Sequence, residues 1–255
     1  MNRGTKKFLY GFFYFACVSL VVFLVYKSYT TVPPSCFDNI QNQYETGVDC
    51  GGLCVACDIK NLIPLGMVGA PRLFTIPSSG NETALFQVEN QNTTHHAMQF
   101  GYVVNVLDKN GENVETFGGT DTLFAGEKRY IFEPLITTPM RNIGTISLEF
   151  KDPAWKPVDE YVPPALTLSD IKTDVGKSWL RVNGTVKNGN TFSAREVKII
   201  AILRGKSGME LFVAQVILTS IPGFGSVSFT IPFPFDKTLI DGLDPGKSEV
   251  FVSSK

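Results

Sequence analysis

The chain has 255 residues, room for about two domains. Its 23 basic and 24 acidic residues leave a net charge of -1, so nothing electrostatic points to a nucleic-acid partner. With 44% hydrophobic and only 18% charged residues, the chain has enough apolar material for real cores, which excludes general disorder. Twenty Phe and 23 Gly favour strands and turns over helices.

Residues 1–7 carry Arg3, Lys6 and Lys7 and are expected on the cytoplasmic side. Phe8 to Tyr26 then runs apolar without one charged side chain. Nineteen helical residues span roughly 28 Å at about 1.5 Å each, close to a bilayer core of about 30 Å. In hydrocarbon the backbone must satisfy its own hydrogen bonds, so residues 8–28 are expected to be a transmembrane helix. The basic residues cluster before it, which places the N-terminus in the cytoplasm and the rest outside, at the cell membrane. A cleaved signal peptide has a shorter apolar core and a small-x-small site, which Val25-Tyr26-Lys27-Ser28-Tyr29 lacks. Cys17 sits mid-segment and reads as a small lipid- or helix-facing residue.

Residues 29–60 hold the other four cysteines, Cys36, Cys50, Cys54 and Cys57. Outside the cytoplasm an even, dense set reads as disulfides, and three pairings are open. A segment this short has little core and needs such cross-links. Zinc ligation by the four thiols and a redox role for Cys54-Val-Ala-Cys57 are weaker alternatives. Asp38, Asn42, Glu45 and Asp49 place four hard oxygen donors within twelve residues, a candidate calcium site, though the spacing is not that of an EF-hand. The competing expectation is a solvated acidic loop.

The run from Cys36 to Cys57 resembles a small repeat of bacterial surface and secreted proteins, roughly C-x-D-G-x-x-N-x-x-E-x-G-x-D-C-G-G-x-C-x-x-C. Asn39 stands where that pattern has Gly, and Asn also tolerates left-handed backbone. The resemblance implies a disulfide-knotted surface module with no catalytic activity.

From about residue 61 short alternating runs take over, expected as one sandwich over 61–152 and a second over 153–255. Expected strands are 72–76, 84–88, 98–107, 114–117, 128–132 and 143–150. Lys109-Asn110-Gly111 reads as a turn. Residues 151–166 hold four prolines and read as a stiff linker. The second series is 166–171, 179–186, 197–203, 210–217, 227–231 and 250–252. The two series read as copies: Val88-Glu-Asn90-Gln-Asn92 matches Val186-Lys-Asn188-Gly-Asn190, and Gly111 parallels Gly208. No helix of ten or more residues is expected outside the anchor.

Val182-Asn-Gly184-Thr-Val186-Lys-Asn188 and Val106-Leu107-Asp108 with Gly111 resemble the extracytoplasmic family named for its F-x-L-Y-D motif and the LEA-like sandwiches. The second copy departs at Leu203-Arg204, where that family has an acidic residue. The resemblance implies immunoglobulin-like sandwiches, often membrane-tethered accessory modules, and names no ligand. The expected fold is thus mainly β: one transmembrane helix, a short Cys-rich module and two tandem immunoglobulin-like sandwiches.

No G-x-S-x-G elbow, P-loop or S-x-x-K motif occurs, so no enzyme is expected. His95-His96, the only histidines, are expected in a solvated turn. Three glycosylation sequons, at Asn81, Asn92 and Asn183, matter only in a eukaryotic source. Trp155 and Trp179 read as packing residues. Phe224, Phe233 and Phe235 lie among prolines and glycines and are candidates for an exposed interface, against the alternative that they close the second sandwich. The expected role is a non-enzymatic envelope-complex subunit binding envelope or surface proteins. An adhesin or spacer that binds glycan, matrix or cells, or a calcium or ligand sensor, is the alternative.

Overall fold

The computed structural model describes residues 3–30, 35–42 and 44–255, so two residues of the expected cytoplasmic segment and residues 31–34 and 43 of the Cys-rich module lie outside the described residues. The chain splits into two compact units, Met1–Leu62 and Ile63–Lys255.

The first unit begins with helix α1, Arg3–Thr30. Twenty-eight residues extend about 42 Å, enough for the hydrocarbon core plus both headgroup layers. Its large apolar side chains, from Phe8 to Tyr29, are all exposed, as expected of a helix solvated by lipid rather than by protein. A disulfide-linked segment follows, closed by the short helix α2, Cys57–Lys60.

The second unit is built from thirteen antiparallel strands. One sheet holds β1 (Gly66–Met67), β2 (Arg72–Thr75), β3 (Glu82–Glu89) and β6 (Lys128–Ile136), with β3 central. Its partner is β5-β4-β7, formed by Asn113–Leu123, His95–Asp108 and Ile143–Pro157. The second copy has β12-β9-β8 (Ser226–Phe233, Leu180–Asn188, Leu166–Val175) facing β11-β10-β13 (Glu210–Ile221, Ala194–Arg204, Glu249–Ser253). The pairings repeat: β3–β6 corresponds to β9–β12, β4–β5 to β10–β11, and β4–β7 to β10–β13. A six-residue helix α3, Lys237–Gly242, capped by Asp236, joins β12 to β13.

Each copy has its own core. Ala84, Phe86 and Val88 alternate along β3 into the first, with Phe100, Val104 and Ile131. Leu85, between the first two, does not face water either. Leu85 and Phe74 are buried in the second core, and Phe74 meets Phe212 at 6.3 Å. Strand β10 explains how. Val197, Ile199, Ala201 and Leu203 alternate on one face, and Ile200 and Ile202 are equally buried on the other. A strand covered on both sides needs a continuous apolar run, and Ile199 to Leu203 is one.

Polar contacts reinforce the junction. Arg129 and Asp121 are both buried and pair at 3.1 Å. Lys198 of the second copy reaches the other Asp121 oxygen at 2.7 Å, and Arg129 donates to the Ser254 carbonyl. Arg72 pairs with Glu210, and its guanidinium lies 5.0 Å from the centre of the Tyr130 ring, which packs on Phe251 at 4.7 Å.

The expected stiff linker at 151–166 is therefore largely ordered structure. Residues up to Pro157 extend β7, with Trp155 opposite Ala97 and Pro157 opposite His95. Prolines are tolerated there because β7 is an edge strand. The expected solvated turn at His95-His96 is also corrected: both are buried at the start of β4. His96 Nδ1 accepts from the Ala125 amide at 2.9 Å, and its ring packs edge-on against Phe124 and Tyr161.

Candidate functional site

In the Cys-rich module the disulfides are Cys36–Cys54 and Cys50–Cys57. Asn39, the departure from the resembled repeat, has a φ of 59°, the left-handed conformation the substituted Gly would have served. Gly51 has a φ of 79° and sits against the Thr46 backbone, so a Cβ there would clash.

The four candidate calcium ligands organise the loop. Asp49 Oδ1 accepts from the amides of Asp38 and Asn39, each at 3.0 Å. Glu45 Oε2 accepts from the amides of Asn42 and Asp49, each at 3.1 Å. Asp38 accepts from the Asn42 side chain and from the amides of Ser35 and Ile40. The Asn42 bond, then the backbone bonds, hold the Asp38 carboxyl below its usual range. Asp38 and Asp49 do not belong to the group of close metal-type ligands found among the described residues, which is Cys36, Glu45 and Cys54. Glu45 Oε1 lies 3.0 Å from Cys54 Sγ, which is disulfide-bonded and has no proton to donate.

The second candidate surface comes from the loops of the second unit. Ile63, where the chain arrives from the first unit, is bound at both backbone ends by Asn92: its amide donates to Oδ1 at 2.8 Å, and its carbonyl accepts from Nδ2 at 2.7 Å. Asn190 does the same in the second copy, accepting from the Ala165 amide and donating to the Pro163 carbonyl. The His96 ring nitrogen Nε2 lies 3.3 Å from the Tyr161 carbonyl, two residues before Pro163. The loops around Asn92 and around Asn190 therefore share one end of the unit, the proximal end. The β4–β5 and β10–β11 turns, with Gly111 and Gly208 both at a φ of 85°, lie at the distal end.

The three candidate phenylalanines separate. Phe233 is buried and meets Phe212 at 6.4 Å, so it belongs to the core and not to an interface. Phe235 is 45% exposed, just beyond the distal end of β12. Phe224 is 66% exposed at the proximal end, and its amide donates to the Asn190 carbonyl. The matching amide in the first copy is that of Gly126, which donates to the Asn92 carbonyl with a φ of 69°. Phe224 adopts the same left-handed backbone, at a φ of 55°. Aligning the copies by their Asn-x-Asn motifs puts Phe224 opposite Gly126, a sequence signal for this site. Phe192, on the neighbouring loop, was missed by pattern reasoning and is 40% exposed.

No family model matches the chain, and no curated protein matches it. Among solved structures, red sea bream transglutaminase aligns at 13% identity with a TM-score of 0.23, over 73% of this chain. The chain spans 31% of that protein.

Proposed function

We propose that this protein is a single-pass, membrane-anchored interaction subunit whose two immunoglobulin-like sandwiches work outside the cytoplasm as one body. The observation that carries this function is α1: 28 helical residues with a fully lipid-type surface, basic residues only before and after its apolar run. The two disulfides that follow fit an oxidising compartment on the far side. The fused double sandwich supports a scaffold role, because Phe74 and Leu85 of the first copy, buried in the core of the second, fix the spacing of two sets of loops. Its partners are envelope or surface proteins.

Mild crosslinking in native membranes followed by purification of the full chain tests this. A stoichiometric partner crosslinked to the second unit is the expected result. Recovery of the chain alone favours the adhesin or spacer role instead.

A further inference from the structure

We propose that two copies of this chain pair edge to edge through β11, Ala214 to Ser220 of one copy running antiparallel to the same residues of the other. The inference concerns the second sandwich alone and does not depend on the anchor.

Leu211 to Phe235, between Glu210 and Asp236, holds no charged residue and no histidine. That is twenty-five residues in a chain that is 18% charged, a longer uncharged run than Phe8 to Tyr26. It covers β11, the turn at Pro222 to Gly225, and β12. Both strands end their sheets: among the described residues β11 bonds only to β10, and β12 only to β9. The run therefore forms two free edges joined by a turn, not a strand enclosed in a sheet.

A free edge offers a row of unpaired N–H and C=O groups, which proteins guard with charges, prolines, bulges or short strands. The other edges here are guarded. Glu115 does so in β5, Pro134 in β6, Lys151 and Pro153 in β7, a bulge at Asp170 in β8, and Pro232 in β12. β1, β2 and β13 have five residues or fewer. From Phe212 to Ile221, β11 has none of these devices and keeps one register with β10. The first copy covers its beginning, through Arg72 on Glu210 and Phe74 on Phe212. Further on, Ile217 is 54% exposed, and Thr219 and Ser220 are exposed.

The occupant follows from the pattern of this edge. A strand without charge matches a strand without charge, and in a second copy the long, regular, uncharged edge is β11 again. Pairing it with itself is isologous and closes after two copies, whereas pairing it with a different edge would run head to tail into a filament. The pattern is also self-complementary. Antiparallel pairing centred on Ile217 brings Phe224 of each copy to the Met209–Glu210 end of the other, and Phe224 and Met209 are each 66% exposed. Ala214 to Ser220 spans about 24 Å, and the pairing joins two three-stranded sheets into one.

The test uses the full chain carrying Cys17→Ser. Ile217→Cys, or Thr167→Cys on the far edge strand β8 as a control, is treated in detergent with a short bismaleimide. The expected result is a covalent dimer at 217 and none at 167. Ile217→Lys and Ile217→Glu, at a half-exposed position, should each be monomeric by light scattering, and their mixture dimeric again, because antiparallel pairing sets Lys beside Glu. A chain that stays monomeric and uncrosslinked overturns the proposal. So does a dimer that survives Ile217→Lys, since it is held elsewhere. So does a residue 217 that crosslinks in native membranes to another protein and not to itself, which gives the edge to a different partner. None of these results touches the anchored subunit proposed above, which is tested by purification from native membranes.

Discussion

Asn90 and Asn188 stand 98 positions apart and make the same buried hydrogen bonds. Asn90 Nδ2 donates to the carbonyls of His95 and Leu123, and Asn188 Nδ2 to those of Phe192 and Ile221. Each Oδ1 accepts the amide two residues on, Asn92 or Asn190. One side chain thus ties three segments together at each proximal corner and gives two of their carbonyls a donor. Asn188→Ala should cost about 2–4 kcal/mol, since it strands several buried polar groups at once. Urea denaturation checks this, and Asn90→Ala should lose a similar amount.

The two copies should unfold together. Phe74 and Leu85 belong to the second core, and Asp121 is held by Arg129 of its own copy and Lys198 of the other. Calorimetry of the full chain in detergent should give one transition for the double sandwich; two would show separable domains. Asp121→Ala should destabilise the whole by about 1–3 kcal/mol, because it removes the buried carboxylate that Arg129 and Lys198 share and leaves Arg129 with Glu127 alone.

Phe233→Ser should cost about 3–5 kcal/mol, as for other buried aromatics truncated in a core. Phe235→Ser, at a half-exposed ring, should cost under about 1 kcal/mol. Thermal melts of the two variants decide between them, and equal losses would place both rings in the core.

In the Cys-rich module, peptide mapping without reduction should recover Cys36 joined to Cys54 and Cys50 to Cys57. Because Asp38, Glu45 and Asp49 already serve backbone amides, EDTA should leave the melting temperature of the oxidised protein unchanged. A clear drop would establish that a divalent cation, calcium first, holds the loop.

Burial raises the Glu133 carboxyl pKa above 4.5, against the opposing effects of the Tyr102 hydrogen bond and Lys198. Since the folded-state value is the higher one, its favourable contribution is present at low pH. It is lost as pH rises from about 4.5 through the raised value. Glu133→Gln should therefore raise the melting temperature at pH 7 and flatten its rise on acidification. A lower melting temperature at pH 7 would show the carboxylate to be favourable as it stands.

The sequence by itself determined the elements. The uncharged run from Phe8 to Tyr26 could only be a helix, the strand series followed from alternation, and Asn90/Asn188 marked the repeat. These are local signals, set by backbone hydrogen bonding and side-chain period. Other features needed the tertiary structure. Leu85 and Ile200 are apolar either way, but only the packed sheets decide that they bury against the other copy. His95 and His96 looked like turn residues until Phe124 and Tyr161 enclosed the His96 ring, and Pro157 looked like linker until β4 paired with it. Phe233 and Phe235, two residues apart on one strand end, share a composition and differ in fate, because only Phe233 meets Phe212. Periodicity tells a side chain which way to face along its own strand; what lies on that side is set by residues far away in sequence.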